Sequence, residues 1–234
     1  MMRQLARVFG TLLVVAGLGL LGWAVTVWQW QDPFTAAVHE YKQRELADSF
    51  EQRLKLIQRS RPVAQPVATP TEIRRGVKGD AIAWRKASKR GDAIARLRIP
   101  RLGVNEIVVN GTDSSTLKRG PGRYLPSGMP GEGELVYVAG HRTTFGAPFS
   151  RIDRLERGDE VYVELPYGTI EYVVTGHRIV AATELSVLRS RGYEQLALQA
   201  CHPRFFATQR YIVYAKPVSI TPPGETEAAP LAAG

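Results

Sequence analysis

Three side chains in the second half of the sequence carry the chemistry of a nucleophile, a base and an anion-stabilising group. Cys201 is the only cysteine of the chain and follows the apolar run 196–200. A thiolate, or a thiol that passes its proton to a base, is a strong nucleophile. Arg210 is the first residue of a second β-type run at 210–214. His141 follows a third run at 135–139, directly after Gly140. The pattern indicates cysteine-dependent catalysis at the ends of three strands.

The other histidines of this region are weaker candidates for the base. His202 follows Cys201 directly, and neighbouring residues on a strand point to opposite faces, so we interpret it as a turn residue. His177 lies inside a long β-type run and is interpreted as a surface strand residue. His141 is therefore the favoured partner of the thiol. Arg210 could stabilise an oxyanion or position a carbonyl oxygen.

Each of these residues also has an ordinary structural interpretation. A lone cysteine is most often a small buried hydrophobe, and a lone arginine is usually a solvated charge. The catalytic hypothesis depends on all three groups standing at strand ends. Two protonation schemes fit it, since a free thiol titrates near ~8.5 and an imidazole near ~6.5. The pair can be a preformed thiolate–imidazolium, or a minor active fraction of a mostly neutral pair.

The elements that would position these side chains are short strands separated by Gly- and Pro-containing turns. From Asp92 onward the pattern predicts seven or eight strands with little helix, which suggests a closed all-β barrel over 92–220. Residues 185–194 form a longer connection, a natural substrate wall. Residues 221–234 are predicted to be a disordered tail. The predicted strands cover 94–99, 104–109, 135–139, 160–165, 169–181, 196–200 and 210–218.

The N-terminal third of the chain predicts a membrane anchor and a connection to it. Residues 8–30 contain no charge and could cross the hydrocarbon core as one helix. Basic residues in 1–7 and tryptophans at the far end indicate a cytoplasmic N-terminus and an exported domain. A cleaved signal peptide is the alternative. Residues 31–91 are interpreted as a juxtamembrane helix over 33–60, mostly solvated, a Pro-containing linker over 61–70 and a flexible basic stretch over 71–91.

The charge distribution narrows the possible partners. The chain has a net charge of +9, and residues 1–91 hold 15 Lys and Arg against 7 Asp and Glu. No nucleic-acid-binding motif accompanies this excess, so we expect membrane lipid or anionic wall polymer beside residues 8–30 and no nucleic acid. A single cysteine rules out an internal disulfide. We expect no cofactor and no metal, because no acidic cluster resembles a calcium site.

Two blocks of the sequence resemble the signature regions of the sortases, membrane-anchored cysteine transpeptidases of Gram-positive bacteria. They read YVAGHRTTFGAPFSRIDRLERGDEVYV and ALQACHPRFFATQRYIVYA, and they look most similar to class E enzymes of actinobacteria. The resemblance implies an eight-stranded β-barrel, with Cys201 as nucleophile, His141 as general acid/base and Arg210 as the group that orients substrate or stabilises the oxyanion. It also implies cleavage of an LPxTG- or LAxTG-like sorting motif of surface proteins between Thr and Gly. The acyl group would then pass to an amine of a peptidoglycan precursor.

Three positions depart from the family pattern. The motif TLxTC is replaced by Ala197-Leu198-Gln199-Ala200-Cys201, and the threonine next to the cysteine lines the family's active site. Phe145 stands where class E members often have Tyr. Two alternatives therefore remain: a weak or inactive sortase-like scaffold, and a sortase that polymerises pilins. An L,D-transpeptidase-like enzyme would need a Ser-x-Gly-Cys block, which this chain lacks.

Overall fold

The computed structural model describes residues 2–29, 33–60, 70–224 and 228–231. Eight strands follow the order β6-β5-β1-β2-β3-β4-β7-β8, and β8 pairs with β6 to close the barrel. A two-residue ninth strand pairs with β8. The strands are β1 Ala93–Ile99, β2 Val104–Asn110, β3 Gly122–Arg123, β4 Leu135–Ala139, β5 Glu160–Leu165, β6 Gly168–Ala181, β7 Gln195–His202, β8 Gln209–Thr221 and β9 Ala229–Pro230. The closed eight-stranded barrel predicted from the sequence is confirmed.

Alternating burial along the strands explains why these residues form a closed sheet. The first half of β6 alternates buried and half-buried positions, as expected for a strand with one face on the core. The barrel interior is filled by branched and aromatic side chains, among them Ile94, Leu97, Ile170 and Tyr172. A second, smaller cluster around Tyr137, Ala197 and Ile212 forms on the outer face of β4, β7 and β8.

Within the described residues, four helices accompany the barrel: α1 Met2–Gln29, α2 Pro33–Ser60, α3 Pro70–Ala87 and the single turn α4 Ser114–Leu117. By length and composition, the stretch Arg3–Val25 of α1 could cross a membrane, and none of its most apolar window is buried against protein. The predicted span 8–30 largely coincides with it, although residue 30 lies outside the described residues. Short 3-10 turns lie at Pro100–Leu102, Ile152–Arg154 and Leu185–Leu188.

The prediction that residues 71–91 are flexible is wrong, because most of them form α3. One face of this helix packs against the barrel core with the side chains of Val77, Ala81 and Trp84. These residues recur at i, i+4 and i+7, the spacing of one helix face. The Trp84 indole N–H also donates to the carbonyl of Ile94 at 3.0 Å. The folded body therefore begins well before Asp92. Residues 61–69 of the predicted linker lie outside the described residues.

The interpretation of α2 as a mostly solvated stalk is also wrong. Leu46 and Phe50 are completely buried against β1 and β2. The predicted disorder of the tail 221–234 is corrected in part, since Ala229 pairs with Ile220 and the Leu231 amide donates to the carbonyl of Val218 at 2.8 Å. Residues 225–227 and 232–234 of that tail lie outside the described residues.

Candidate active site

The strand register brings the three predicted site residues to one edge of the barrel. Cys201 on β7 is the direct cross-strand partner of Arg210 on β8, and opposed residues of an antiparallel pair project from the same face. Strand β4 runs parallel to β7 with Ala139 opposite Gln199, and the Gly140 amide donates to the Gln199 carbonyl at 2.9 Å. His141, two residues after Ala139, therefore lies at the same level of the sheet as Cys201, two residues after Gln199.

All three side chains line one open pocket of about 340 Å³. Cys201 carries a free, half-buried thiol. The walls are mostly apolar and include part of the connection 185–194, which was predicted to form a wall of the substrate site. The lining residues from that connection are Leu185, Val187 and Leu188, and those from the opposite side are Leu117, Tyr124 and Tyr137. An open, mostly apolar pocket beside the thiol suits the binding of apolar substrate groups.

His141 sits in surroundings that favour its neutral form. Burial lowers the pKa of its imidazole, with smaller electrostatic contributions from His39 and Lys118. Its Nε2 is buried and has no hydrogen-bond partner among the described residues. The ring of Phe145 packs against the imidazole with centroids 5.2 Å apart. A neutral ring nitrogen without a partner is available to accept a proton.

Arg210 is held at the rim of the pocket by its own loop. Its Nη1 donates to the carbonyls of Ala207 and Gln209, at 2.8 and 2.9 Å. These two bonds fix one edge of the guanidinium. Because a guanidinium carries five N–H donors, donors remain for an oxygen in the pocket.

Arg142 is a buried charge beside the site that the sequence analysis missed. It is only 4% exposed. Its Nη1 donates to the carbonyl of Cys201 at 3.3 Å and to Nδ1 of His202 at 2.8 Å, and its Nη2 pairs with Asp153 at 2.8 Å. The side chain joins the loop after His141 to the end of β7. Its place directly after His141, inside the block that resembles the sortases, was the signal that the sequence offered.

The remaining histidines lie away from the pocket. His177 stacks on Tyr211 with centroids 5.0 Å apart, on the side of β6 and β8 that does not face the thiol. His202, predicted in a turn, is the last residue of β7 and bonds Arg142. The fourth, His39, lies on α2 and is buried; the sequence analysis did not consider it.

The two TLxTC threonine positions face different sides of the sheet. Ala200 is completely buried in the barrel core, so the expectation that this position lines the active site does not hold in this chain. Ala197 lies on the outer face of the barrel, packed with Tyr137 and Ile212. Neither alanine is among the residues that line the pocket.

A second cavity of the described residues lies apart from the three predicted site residues. A larger cavity of about 470 Å³ lies near the start of β7, lined by Arg74, Glu194 and Lys216 among others, and it contains none of the three predicted residues. Within the described residues, no group of three or more His, Cys, Asp or Glu side chains could hold a metal ion.

Comparison with known families identifies the barrel. Residues 97–218 match the sortase domain model. Sortase D of Bacillus subtilis is 34% identical over 133 residues, which cover 55% of this chain and 66% of the relative. Sortase E1 of Streptomyces coelicolor is 32% identical over 148 residues, covering 56% of this chain and 42% of the relative. The chain thus spans less than two thirds of the length of these curated relatives.

Solved structures agree with this assignment. Sortase E from Streptomyces avermitilis has 35% identity and a TM-score of 0.52, covering 57% of this chain and 93% of its own. Sortase E1 from Streptomyces coelicolor, solved with a tripeptide in the active site, has 30% identity and a TM-score of 0.54, covering 58% and 94%. A Clostridium perfringens sortase D5 has a TM-score of 0.58 at 22% identity, covering 78% and 99%, and supports the fold alone. The chain belongs to the sortase family, whose members are cysteine transpeptidases.

Proposed function

We propose that this protein is a membrane-anchored cysteine transpeptidase that cleaves a C-terminal LAxTG- or LPxTG-like sorting motif between Thr and Gly. The acyl group passes to the amine of a cell-wall precursor. The observation that carries the proposal is the direct pairing of Cys201 with Arg210, with His141 lining the same pocket. A nucleophile, a base and an anion-stabilising group at one open pocket are the parts that acyl transfer needs.

The first half-reaction forms a thioester on Cys201. The Cys201 thiol gives its proton to His141, and its sulfur attacks the threonine carbonyl carbon of the motif. Arg210 donates hydrogen bonds to the oxyanion that develops on that carbonyl oxygen. When the Thr–Gly bond breaks, protonated His141 passes its proton to the departing glycine amine. The acyl group then remains on sulfur.

The second half-reaction releases the acyl group to an amine. The incoming amine attacks the thioester carbon, and His141 takes one of its protons. The carbon–sulfur bond breaks, and the Cys201 thiolate recovers that proton from His141. The product is a new amide bond and no atom changes its oxidation state, so the reaction needs no oxidant. The lowered pKa of His141 favours the scheme in which the resting pair is mostly neutral.

The N-terminal helix supports the proposed location at the cell membrane. Arg3 and Arg7 precede the apolar core of α1, and basic residues stay on the cytoplasmic side. This orientation leaves the barrel outside the membrane, where sorting-motif proteins and wall precursors are found.

The test uses the full chain in detergent micelles with an LAxTG peptide, an LPxTG peptide and an amine acceptor such as triglycine. We expect one of the two peptides to give an amide product whose mass is that of the acyl part plus the acceptor. Cys201→Ala and a peptide with Thr and Gly exchanged are the controls. A parent that forms no product would favour a non-catalytic scaffold. A Cys201→Ala protein that forms as much product as the parent would show that Cys201 is not the nucleophile.

A further inference from the structure

Helix α2 packs along the barrel through hydrogen bonds and buried apolar side chains. The Gln43 side chain accepts from the Ile107 amide at 2.6 Å and donates to the carbonyls of Ile107 and Arg119, at 3.2 and 2.8 Å. One turn later Leu46 is buried, followed by Phe50. A helix with this set of contacts is part of the folded body.

The first turns of α2 reach the loop that follows His141. Thr35 Oγ1 accepts a hydrogen bond from the Phe145 amide at 3.3 Å. His39 is 5% exposed, and its Nε2 lies 2.9 Å from a carboxylate oxygen of Glu106. The His39 ring covers Gly146 so closely that a Cβ added at position 146 would collide with it. Two residues of α2 therefore contact two consecutive residues of this loop.

This loop has a backbone that needs external support. Phe145, Gly146 and Ala147 all adopt positive φ, at 51°, 71° and 40°. Non-glycine residues rarely occupy this region, and such strain persists only where the surroundings enforce it. The Phe145 ring is also the group that packs against His141. A change in the loop would therefore move the wall on which the imidazole rests.

The geometry points to His39 as a positioning residue for the catalytic histidine. Held by Glu106, its ring presses on Gly146, keeps residues 145–147 in their strained conformation and so keeps Phe145 against His141. The inference rests on the proposed function of Cys201, His141 and Arg210. It extends the active site to a residue more than 50 positions before the start of the sortase domain match, on the helix that follows the apolar segment in sequence.

The contact between His39 and Gly146 makes a sharp comparison possible within α2. His39→Ala removes the support of the loop, whereas Gln43→Ala, one turn away, removes three bonds to the barrel and none to the loop. His39→Gln retains an N–H donor for Glu106. Glu106→Gln weakens the contact that holds the His39 ring and should lower kcat through the same displacement of the loop as His39→Ala. The double variant should therefore lose no more kcat than His39→Ala alone.

The experiment measures acylation by the sorting peptide, thermal unfolding and amide hydrogen exchange of residues 141–149, with the full chain in micelles. We expect His39→Ala to lower kcat by about 10- to 100-fold, since small displacements of a catalytic group have effects of this size, with KM nearly unchanged and faster exchange in the loop. Gln43→Ala should lower the melting temperature and leave kcat and loop exchange near the parent's. His39→Gln should recover much of the parent's kcat and of the slow hydrogen exchange in the loop.

Three results would overturn the inference. One is a His39→Ala protein with the parent's kcat. Another is a loss of kcat that is equal in His39→Ala and Gln43→Ala, which would make helix binding alone the cause. The third is unchanged exchange of residues 141–149 in His39→Ala. If the parent and Cys201→Ala both form no product, the proposed function fails, and the exchange measurement still decides whether His39 holds the loop.

Discussion

Cys201 and Arg210 are directly opposed across β7 and β8, at the end of the sheet where both strands meet the pocket. The register of this pair follows from the core, because a slip of one residue would turn the buried Leu196, Leu198 and Ala200 outward. The same packing that stabilises the barrel thus fixes which residue faces the thiol. The two residues are nine positions apart in sequence, and the chain between them supplies the two carbonyls that Arg210 binds.

Replacing Arg210 should affect catalysis far more than stability. Arg210→Ala should lower kcat/KM by about 100- to 1,000-fold, the size of effect seen when an oxyanion donor is removed. Arg210→Lys should recover only part, because an ammonium cannot reproduce the guanidinium fork. Steady-state kinetics with the sorting peptide measures both. Arg189→Ala removes an equal charge from the exposed connection beside the pocket and is the control. Equal losses in the two alanine variants would reduce Arg210 to a general charge effect.

Arg142 should contribute to the stability of the fold. Arg142→Ala leaves Asp153 without its partner and removes a donor from the Cys201 carbonyl, so we expect the free energy of unfolding to fall by about 2–4 kcal/mol. Asp153 is half exposed and can be resolvated, so Asp153→Asn should cost less. Chemical denaturation measures both values. A neutral Arg142→Ala would mean that the end of β7 holds its position without this arginine.

The lowered pKa of His141 predicts a dependence of stability on pH. The folded state resists protonating this imidazole, whereas the unfolded chain protonates it near ~6.5. The unfolded state therefore binds more protons as pH falls below that value, and stability is lost toward the folded pKa. The melting temperature of the parent should fall more than that of His141→Gln between pH 7 and pH 5. Parallel curves for the two proteins would contradict the shift.

Helix α3 should be indispensable to the barrel. Trp84→Ala should destabilise the protein by about 3–5 kcal/mol, the range for truncating a large buried aromatic residue. Trp84→Phe keeps most of the packing and loses the bond to Ile94, at a cost of about 1 kcal/mol. Denaturant titration distinguishes them. A fragment that starts at Asp92 lacks both α2 and α3 and should not fold stably. A fragment with the parent's stability would restore the predicted boundary.

The barrel and the pocket could be predicted because their signals are local. The strand predictions 135–139 and 160–165 coincide with β4 and β5, since apolar runs bounded by glycines and charges mark both ends. The convergence of Cys201, His141 and Arg210 on one pocket followed from their places at strand ends. The two-residue strand β3 was hidden in a Gly/Pro loop, because its pairing depends on neighbours far along the chain.

The errors concern contacts that only tertiary structure creates. Helix α3 was not predicted because its sequence is basic and contains Gly76 and Gly79. Its stability comes from burying Val77 and Trp84. His39 lies on a helix that appeared to be solvated, and its partner Glu106 is 67 residues away. No local pattern connects either residue to the pocket.

The central claim is that Cys201 is the nucleophile, and the most direct measurement is the mass of the acyl-enzyme. The full chain is mixed with the sorting peptide without an amine acceptor, quenched in acid and digested for mass spectrometry. We predict a thioester of the peptide's acyl part on the fragment that contains Cys201, removed by hydroxylamine and absent in Cys201→Ala. An adduct on another residue, or product formation by Cys201→Ala at the parent's rate, would contradict the account.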